Sequence, residues 1–399
     1  INAKCTVIIF SLMYFSKSEK VCSGVCHLNN GKDLKQRRKL MTIKRDRRKF
    51  LAGVGALSAS GLILPFSNAF GARWPRRPIT GVVGYRQGGG TDSTARTLVP
   101  TMEKELDATI NVINKPGAVA SVATDFVWKK PADGYWWLFS STYNKLLRCN
   151  GYHKTIPYMD WQFYGVDVSL MSWSVVHDSP IKSFGDLLSL AKKKSGEITV
   201  GNSGTGGVWH LGNSLLESVA KVKFKNVAYK GGKGATLAAL QKEVDVVGSG
   251  VHEHIEHIKA GRLRNLAVFK ANSLKVPGYD DLKPVTDWVP ALKSHAPFGG
   301  GGAMGLRRDT DPKILKMVEG GFLKATKSEA FMNRMKKKFR FPNVRTGADA
   351  DKTAALQEIV ASKILKELGV AKFGHKDLGL PDPQDFDAWW PPKGYKPRF

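Results

Sequence analysis

The sequence predicts an α/β fold of two lobes with a ligand cleft between them. Three observations carry this expectation. From residue 73 onward, short β-rich runs alternate with helical runs, an order that yields a parallel or mixed sheet with covering helices. The alternation restarts in the middle of the chain. Each half also places a glycine-rich turn between a strand's carboxyl end and a helix's start, where open α/β sheets bind ligands.

In the first half, PITGVVGY (78–85) is a β-rich run that leads to the glycines at 88–90. STARTLVPTMEKEL (93–106) follows as a helix, with Leu98, Met102 and Leu106 spaced along one face. NVINKPG (111–117) is a strand closed by a Pro-Gly turn, and a helix covers 119–129. PADGYWWLFS (131–140) is a turn and a strand. In the second half, SPIKSFGDLLSLAKKKSG (179–196) reads as a helix with Ser183 at its N-cap and Asp186 three residues on. EITVGNSGTGGVWHLGNSLLESVAKV (197–222) repeats strand, glycine loop and helix, as does KFKNVAYKGGKGATLAALQKEVDVVGSG (223–250). RLRNLAVF (262–269) closes the section with a strand. PFGGGGAMGL (297–306) suits either a hinge strand returning to the first lobe or a flexible surface loop. The expected division is 73–176 with 296–399 for the first lobe and 177–295 for the second.

Composition and charge narrow the function. Of 399 residues, 42% are hydrophobic and 24% charged, and no apolar run is long enough to cross a bilayer as a helix. The net charge of +28 is shared unevenly: residues 1–72 hold 13 Lys/Arg against 3 Asp/Glu, the rest 49 against 31. The larger part remains basic and suits a small anionic ligand. Nucleic acid is disfavoured, because the basic residues are dispersed and no RNP-type or zinc-finger spacing occurs. MKKKFR (335–340) and AKKKSG (191–196) read as solvated helix faces or ends. Cys5, Cys22 and Cys26 lie early and Cys149 stands alone later, so neither a disulfide framework nor a zinc site is indicated.

The N-terminal region reads as an address. Residues 1–40 are expected to be an upstream extension without a functional role. From Met41, a basic segment with Arg47, Arg48, Lys49, Phe50 and Leu51 precedes a mildly apolar run to Phe66. Small residues then permit cleavage after Ala69 or close to Ala72. This order, over 41–72, is that of a bacterial export signal of twin-arginine type, which would place the mature chain in the periplasm.

GYRQGGGTDSTAR (84–96) fits neither a P-loop, which needs a Lys after its glycines, nor the dinucleotide fingerprint, whose glycine spacing it lacks. Backbone N–H groups and the helix's positive end still favour an anion there. Asp92 reads first as a helix cap and second as a holder of a ligand-side water. HEHIEH (252–257) lacks His at 256 and reads as a solvated polar helix rather than a metal site. No G-x-S-x-G forms around Ser203, because position 205 is Thr205, and nothing orients His210 as a base. No catalytic residue, metal or cofactor is expected.

Several stretches in order resemble the extracytoplasmic solute receptors of tripartite tricarboxylate transporters, the TctC or Bug receptors. They are GYRQGGGTDSTAR, Asn114-Lys115-Pro116-Gly117-Ala118, and Pro131-Ala132-Asp133-Gly134-Tyr135 in the first half. The second half supplies Gly201 to His210, Ala228-Tyr229-Lys230-Gly231, Glu243-Val244-Asp245, and Ala260-Gly261-Arg262-Leu263-Arg264. The resemblance covers about 75–399. It implies a bilobal periplasmic-binding-protein fold, type II-like, that closes on a small organic carboxylate and passes it to permease subunits, acting as a monomer. The same loops leave open two alternatives, an enzyme acting on a phosphorylated or carboxylated small metabolite and a sensory periplasmic binding protein. It places ligand contacts at Gly88, Gly89, Gly90, Thr91 and Asp92 on one lobe. On the other they fall at Asn202, Ser203, Gly204, Thr205 and Gly206, with Tyr229 and Lys230 nearby. Val119 and Ala120 stand where the family usually has two glycines, Asn202 where it has Ser, and Trp209 where a smaller residue is common. Trp209 is expected to pack into its lobe.

Overall fold

The computed structural model describes residues 74–398, so the cysteines at 5, 22 and 26 and the export signal over 41–72 lie outside the described residues. Ten strands join in one network: β1 (Ile79–Val83), β2 (Ile110–Asn114), β3 (Trp136–Ser141), β4 (Trp161–Val176), β5 (Thr199–Asn202), β6 (Lys225–Ala228), β7 (Val246–Gly250), β8 (Leu263–Val268), β9 (Gly299–Arg307) and β10 (Arg340–Arg345). The order is β2-β1-β3-β9-β4-β7-β5-β6, with β8 and β10 also pairing β4. The sheet is therefore mixed. β1 runs parallel to β2 and β3, and β5 parallel to β6 and β7, while every partner of β4 is antiparallel to it.

The 16-residue β4 is the shared element of the two lobes. Residues 161–170 pair with β9, and 171–176 pair with β7 and β8. The chain thus passes from one half-sheet to the other inside a single strand. Both faces of β4 are covered, and it reads as a near-continuous buried run, as a central strand should.

Helices cover both half-sheets. In the first lobe they are α1 (Gly90–Leu106), α2 (Ser121–Trp128) and α3 (Pro157–Asp160). The second lobe carries α4 (Phe184–Lys193), α5 (Val208–Ala220), α6 (Gly232–Leu240) and α7 (Val251–Lys259). The C-terminal segment adds α8 (Pro312–Lys327), α9 (Glu329–Lys338), α10 (Gly347–Glu367) and α11 (Phe386–Trp389). α1 buries Ala95, Leu98, Val99, Met102 and Leu106 against the first half-sheet and α8, with Trp137 and Phe139 in the same core. A separate core around Trp173, Phe184, Leu216 and Phe269 fills the second lobe. The reciprocal capping box foreseen at Ser183 and Asp186 is present, with Asp186 N donating to Ser183 Oγ at 3.1 Å and Ser183 N to Asp186 Oδ2 at 2.9 Å.

One open alternative is decided and one expectation changes. The glycine run at 299–302 is not a surface loop but the start of β9, a central strand between β3 and β4. It returns the chain from the second lobe, where Phe298 N donates to Phe269 O at 3.1 Å. A side chain at Gly305 would overlap the Phe163 ring, so the strand can lie this close only as glycine. HEHIEH is only partly solvated: Glu256 is exposed, but the centre of the segment is not. His254 is fully buried, with Ser172 and Ser174 Oγ at 2.8 and 3.1 Å from Nδ1 and Ser249 Oγ at 2.8 Å from Nε2. α7 lies against β4, and these serines absorb the polarity that made the segment look exposed. No helix among the described residues is long and apolar enough to cross a membrane.

Candidate functional site

The first glycine loop is shaped by Asp92. Its carboxylate is 1% exposed and accepts from Gly88 N at 2.7 Å, Arg96 Nε at 3.0 Å and Asn114 Nδ2 at 2.9 Å. Gly88 has φ +73, a conformation glycine adopts without cost. α1 consequently begins at Gly90, inside the glycine run, with Gly89 as an N-cap that offers no side chain. The first N–H groups of the helix are left for another acceptor. Asp92 anchors the loop from behind, and its oxygens are committed to protein donors.

The second loop repeats the design with different residues. Asn202 Oδ1 accepts from Gly204 N at 2.9 Å, and His210 Nδ1 from Gly206 N at 2.9 Å, which folds the turn back on itself. Gly207 caps α5 without a side chain, so the helix's first N–H groups again have no side-chain cap. The first lobe reaches this loop directly: Asn150 Nδ2 donates to Gly206 O at 3.1 Å and Tyr152 OH to Thr205 O at 3.3 Å.

The two loops share a cleft. Gly89, Gly90 and Thr91 on one wall face Ser203 and Lys230 on the other, around a cavity of about 50 Å³. Ser203, Gly204, Thr205, Tyr229 and Lys230 also line a neighbouring space of about 270 Å³ opposite 117–120. Gly88 lines a third cavity behind its own loop. Asp92, Asn202 and Gly206 line none of these three. Tyr229 turns its hydroxyl outward to Glu243 Oε2 at 3.3 Å, and its ring passes beside Gly201.

Sequence reasoning missed several lining residues: Tyr85, Arg86, Ser141, Lys233, His252, Glu253 and Arg340. Trp209 packs into the second lobe's core, as expected, and also borders the cleft over Gly300. Arg340 is held by Asp167 through Nε and Nη2, at 2.6 and 2.5 Å, and its Nη1 is turned toward Gly90. Burial pushes the Tyr85 hydroxyl and the Glu253 carboxyl up. It pushes His252 well down, with Arg340 adding to the effect, so the imidazole stays neutral against Ser169 Oγ at 2.7 Å. The cleft therefore joins backbone N–H groups, hydroxyls and cations around one buried acid. Tyr85 and Arg86 lie inside GYRQGGGTDSTAR, and His252 and Glu253 inside HEHIEH, so their stretches were legible though their place in the cleft was not. Arg340 was hidden as the last residue of a basic run.

Val119 and Ala120 have φ +54 and +74, so the two residues that replace the family's glycines keep a glycine-like backbone. Among the described residues, no cluster of three or more His, Cys, Asp or Glu side chains is placed to hold a metal ion.

Two lobes joined through β4, with glycine loops at two helix N-termini lining a shared cleft, have the architecture of a two-lobed solute-binding protein. The chain belongs to the tripartite tricarboxylate transporter family of receptors (TctC), whose profile matches residues 94–370. The "UPF0065 protein in gbd 5'region" of Cupriavidus necator is 28% identical over 340 residues, covering 82% of this chain and 99% of the relative. The solved periplasmic binding protein BugD superposes with a TM-score of 0.67 at 24% identity, over 75% of this chain and 99% of that one. R. palustris Rpa4515, solved with adipate, gives a TM-score of 0.68 at 23% identity over the same shares. These structural likenesses bear out the bilobal fold.

Proposed function

We propose that this receptor captures a small organic carboxylate in the cleft and delivers it to the permease of a tripartite tricarboxylate-type transporter. The observation that carries the reading is the opposition of Gly89-Gly90-Thr91 to Ser203 across one cavity, each loop at the open N-terminus of a helix. Exposed N–H groups and two helix dipoles favour a carboxylate there, and the hydroxyls of Thr91 and Ser203 add neutral donors. A solute that touches both walls shifts the lobes toward the closed state, because only that state offers all its contacts. The adipate of Rpa4515 and the malate of MatC, a further solved relative with a TM-score of 0.62, agree with this ligand class. The solute is held and released unchanged. The receptor works as a monomer in the periplasm, exported through the signal over 41–72.

Mass spectrometry of small molecules released from natively purified protein, followed by a thermal-shift screen of organic acids, tests the reading. An organic acid should co-purify or raise Tm. Gly90→Val places a side chain against His252 and Arg340 and should weaken that binding at least tenfold while the protein stays folded. Thr205→Val should weaken it less. Turnover of a phosphorylated metabolite, with no response to any carboxylate, would replace the receptor reading with an enzyme.

A further inference from the structure

Behind the first glycine loop lies a cavity of about 330 Å³ that adjoins the cleft at Gly89, Gly90 and His252. Its walls come from both lobes. α9 of the first lobe contributes Arg334 and Lys338, and α6 and α7 of the second contribute Lys233 and His257. Charge there is poorly balanced. Lys338 Nζ reaches Glu256 Oε1 at 3.2 Å, and among the described residues Lys233 Nζ reaches only a backbone carbonyl, Gln87 O, at 3.4 Å. Arg334 has neither an ion pair nor a hydrogen bond among the described residues, and its Nε is buried without a protein acceptor. His257 Nδ1 is buried in the same condition.

The nearby acids do not relieve Arg334. Asp92 and Asp167 attract it, but both carboxylates are already engaged, by Gly88, Arg96 and Asn114 and by Arg340, Thr94 and Gly302. Arg340 repels it. Burial pushes the Glu253 carboxyl up, and its Oε2 already accepts from Gly250 N at 3.2 Å. A buried guanidinium donor is costly unless something accepts from it. Three cations converging on one cavity call for an acceptor with several oxygens.

We propose that this cavity binds an oxyanion of carboxylate, sulfate or phosphate type, held by Arg334, Lys338 and Lys233 and completed only when the lobes are closed. The occupant is either a free inorganic ion or a second acid group of the solute in the cleft. Its recognition chemistry is the same in both cases, and it does not depend on which solute the cleft takes.

The test uses the full chain with sodium sulfate against sodium chloride at matched ionic strength. Sulfate also stabilises proteins non-specifically, so the readout is the difference between wild type and Arg334→Met. The wild type should show a saturable rise in Tm that Arg334→Met loses, with apparent sulfate affinity falling at least tenfold. Arg334→Met gives up no protein partner and should match the wild-type Tm in chloride. Lys338→Gln supplies a second measurement of the same loss. Adipate titrations separate the sources. Competition between sulfate and adipate, with adipate weakened tenfold by Arg334→Met, assigns the site to the solute's second acid. Additive binding assigns it to a separate ion. If adipate does not bind the wild type, the sulfate arm still decides. Equal sulfate responses and equal adipate affinity in wild type, Arg334→Met and Lys338→Gln would overturn the proposal.

Discussion

Asp167 and Arg340 form a two-toothed ion pair between β4 and β10, with Nε–Oδ2 at 2.6 Å and Nη2–Oδ1 at 2.5 Å. Both side chains are buried, and Asp167 also accepts from Gly302 N at 3.0 Å and Thr94 Oγ1 at 3.1 Å. One carboxylate thereby ties α1, β9 and β10 to the strand shared by both lobes, while Arg340 keeps Nη1 toward the cleft. Removing one partner of a buried pair strands the other charge and costs about 3–5 kcal/mol. Asp167→Ala should lose that much in urea unfolding and weaken solute binding, because Arg340 is released. A loss below about 1 kcal/mol, within the range of an exposed pair, would show that the pair does not organise this region.

Glu358 makes stability fall as pH rises. Burial raises its carboxyl from 4.5 to about 7, against the opposing pull of Arg148 at 3.0 Å. The native state holds a proton that the unfolded chain releases, so the associated stability is present below about 4.5 and is lost as pH rises toward 7. Unfolding free energy of Glu358→Gln, followed from pH 4 to 8, should lack this decline. An unchanged slope would refute the assignment.

His254 acts in the opposite direction. Burial, assisted by His257, holds it down to about 3 from 6.5. The unfolded chain takes up a proton that the native state refuses, so stability is full above about 6.5 and is lost as pH falls toward 3. His254→Gln should flatten the acid limb of the stability profile even where its neutral-pH stability is lower. A variant whose acid limb stays as steep as the wild type's would exclude His254 as its source.

Val119 sits at φ +54, where a β-branched residue is disfavoured by about 1–2 kcal/mol. Glycine relieves this but adds freedom to the unfolded chain. Val119→Gly should therefore stabilise the protein by about 1 kcal/mol, read as a rise in Tm. It also trims a side chain that faces Gly204 across the cleft, so binding of larger acids should improve. Lower stability would mean that Val119 packing outweighs its backbone strain.

Much of the fold was legible in the sequence, because its signals are local. The β1–loop–α1 and β5–loop–α5 units, the Ser183–Asp186 capping box and the apolar face of α1 each depend on residues a few positions apart. The glycine loops were legible for the same reason. The length of β4 was not, since a strand buried on both faces carries no alternation to read.

The sequence by itself determined the alternating strands and helices, the placing of glycine at both helix starts, and membership of the receptor family. These follow from backbone conformation and short-range hydrogen bonding. Only the tertiary structure decided which polar residues are buried. His254 meets serines about 80 positions away on β4, Arg340 meets Asp167 across 173 positions, and Arg334 Nε has no hydrogen-bond partner among the described residues. Burial depends on what packs against a residue, and no local pattern records that.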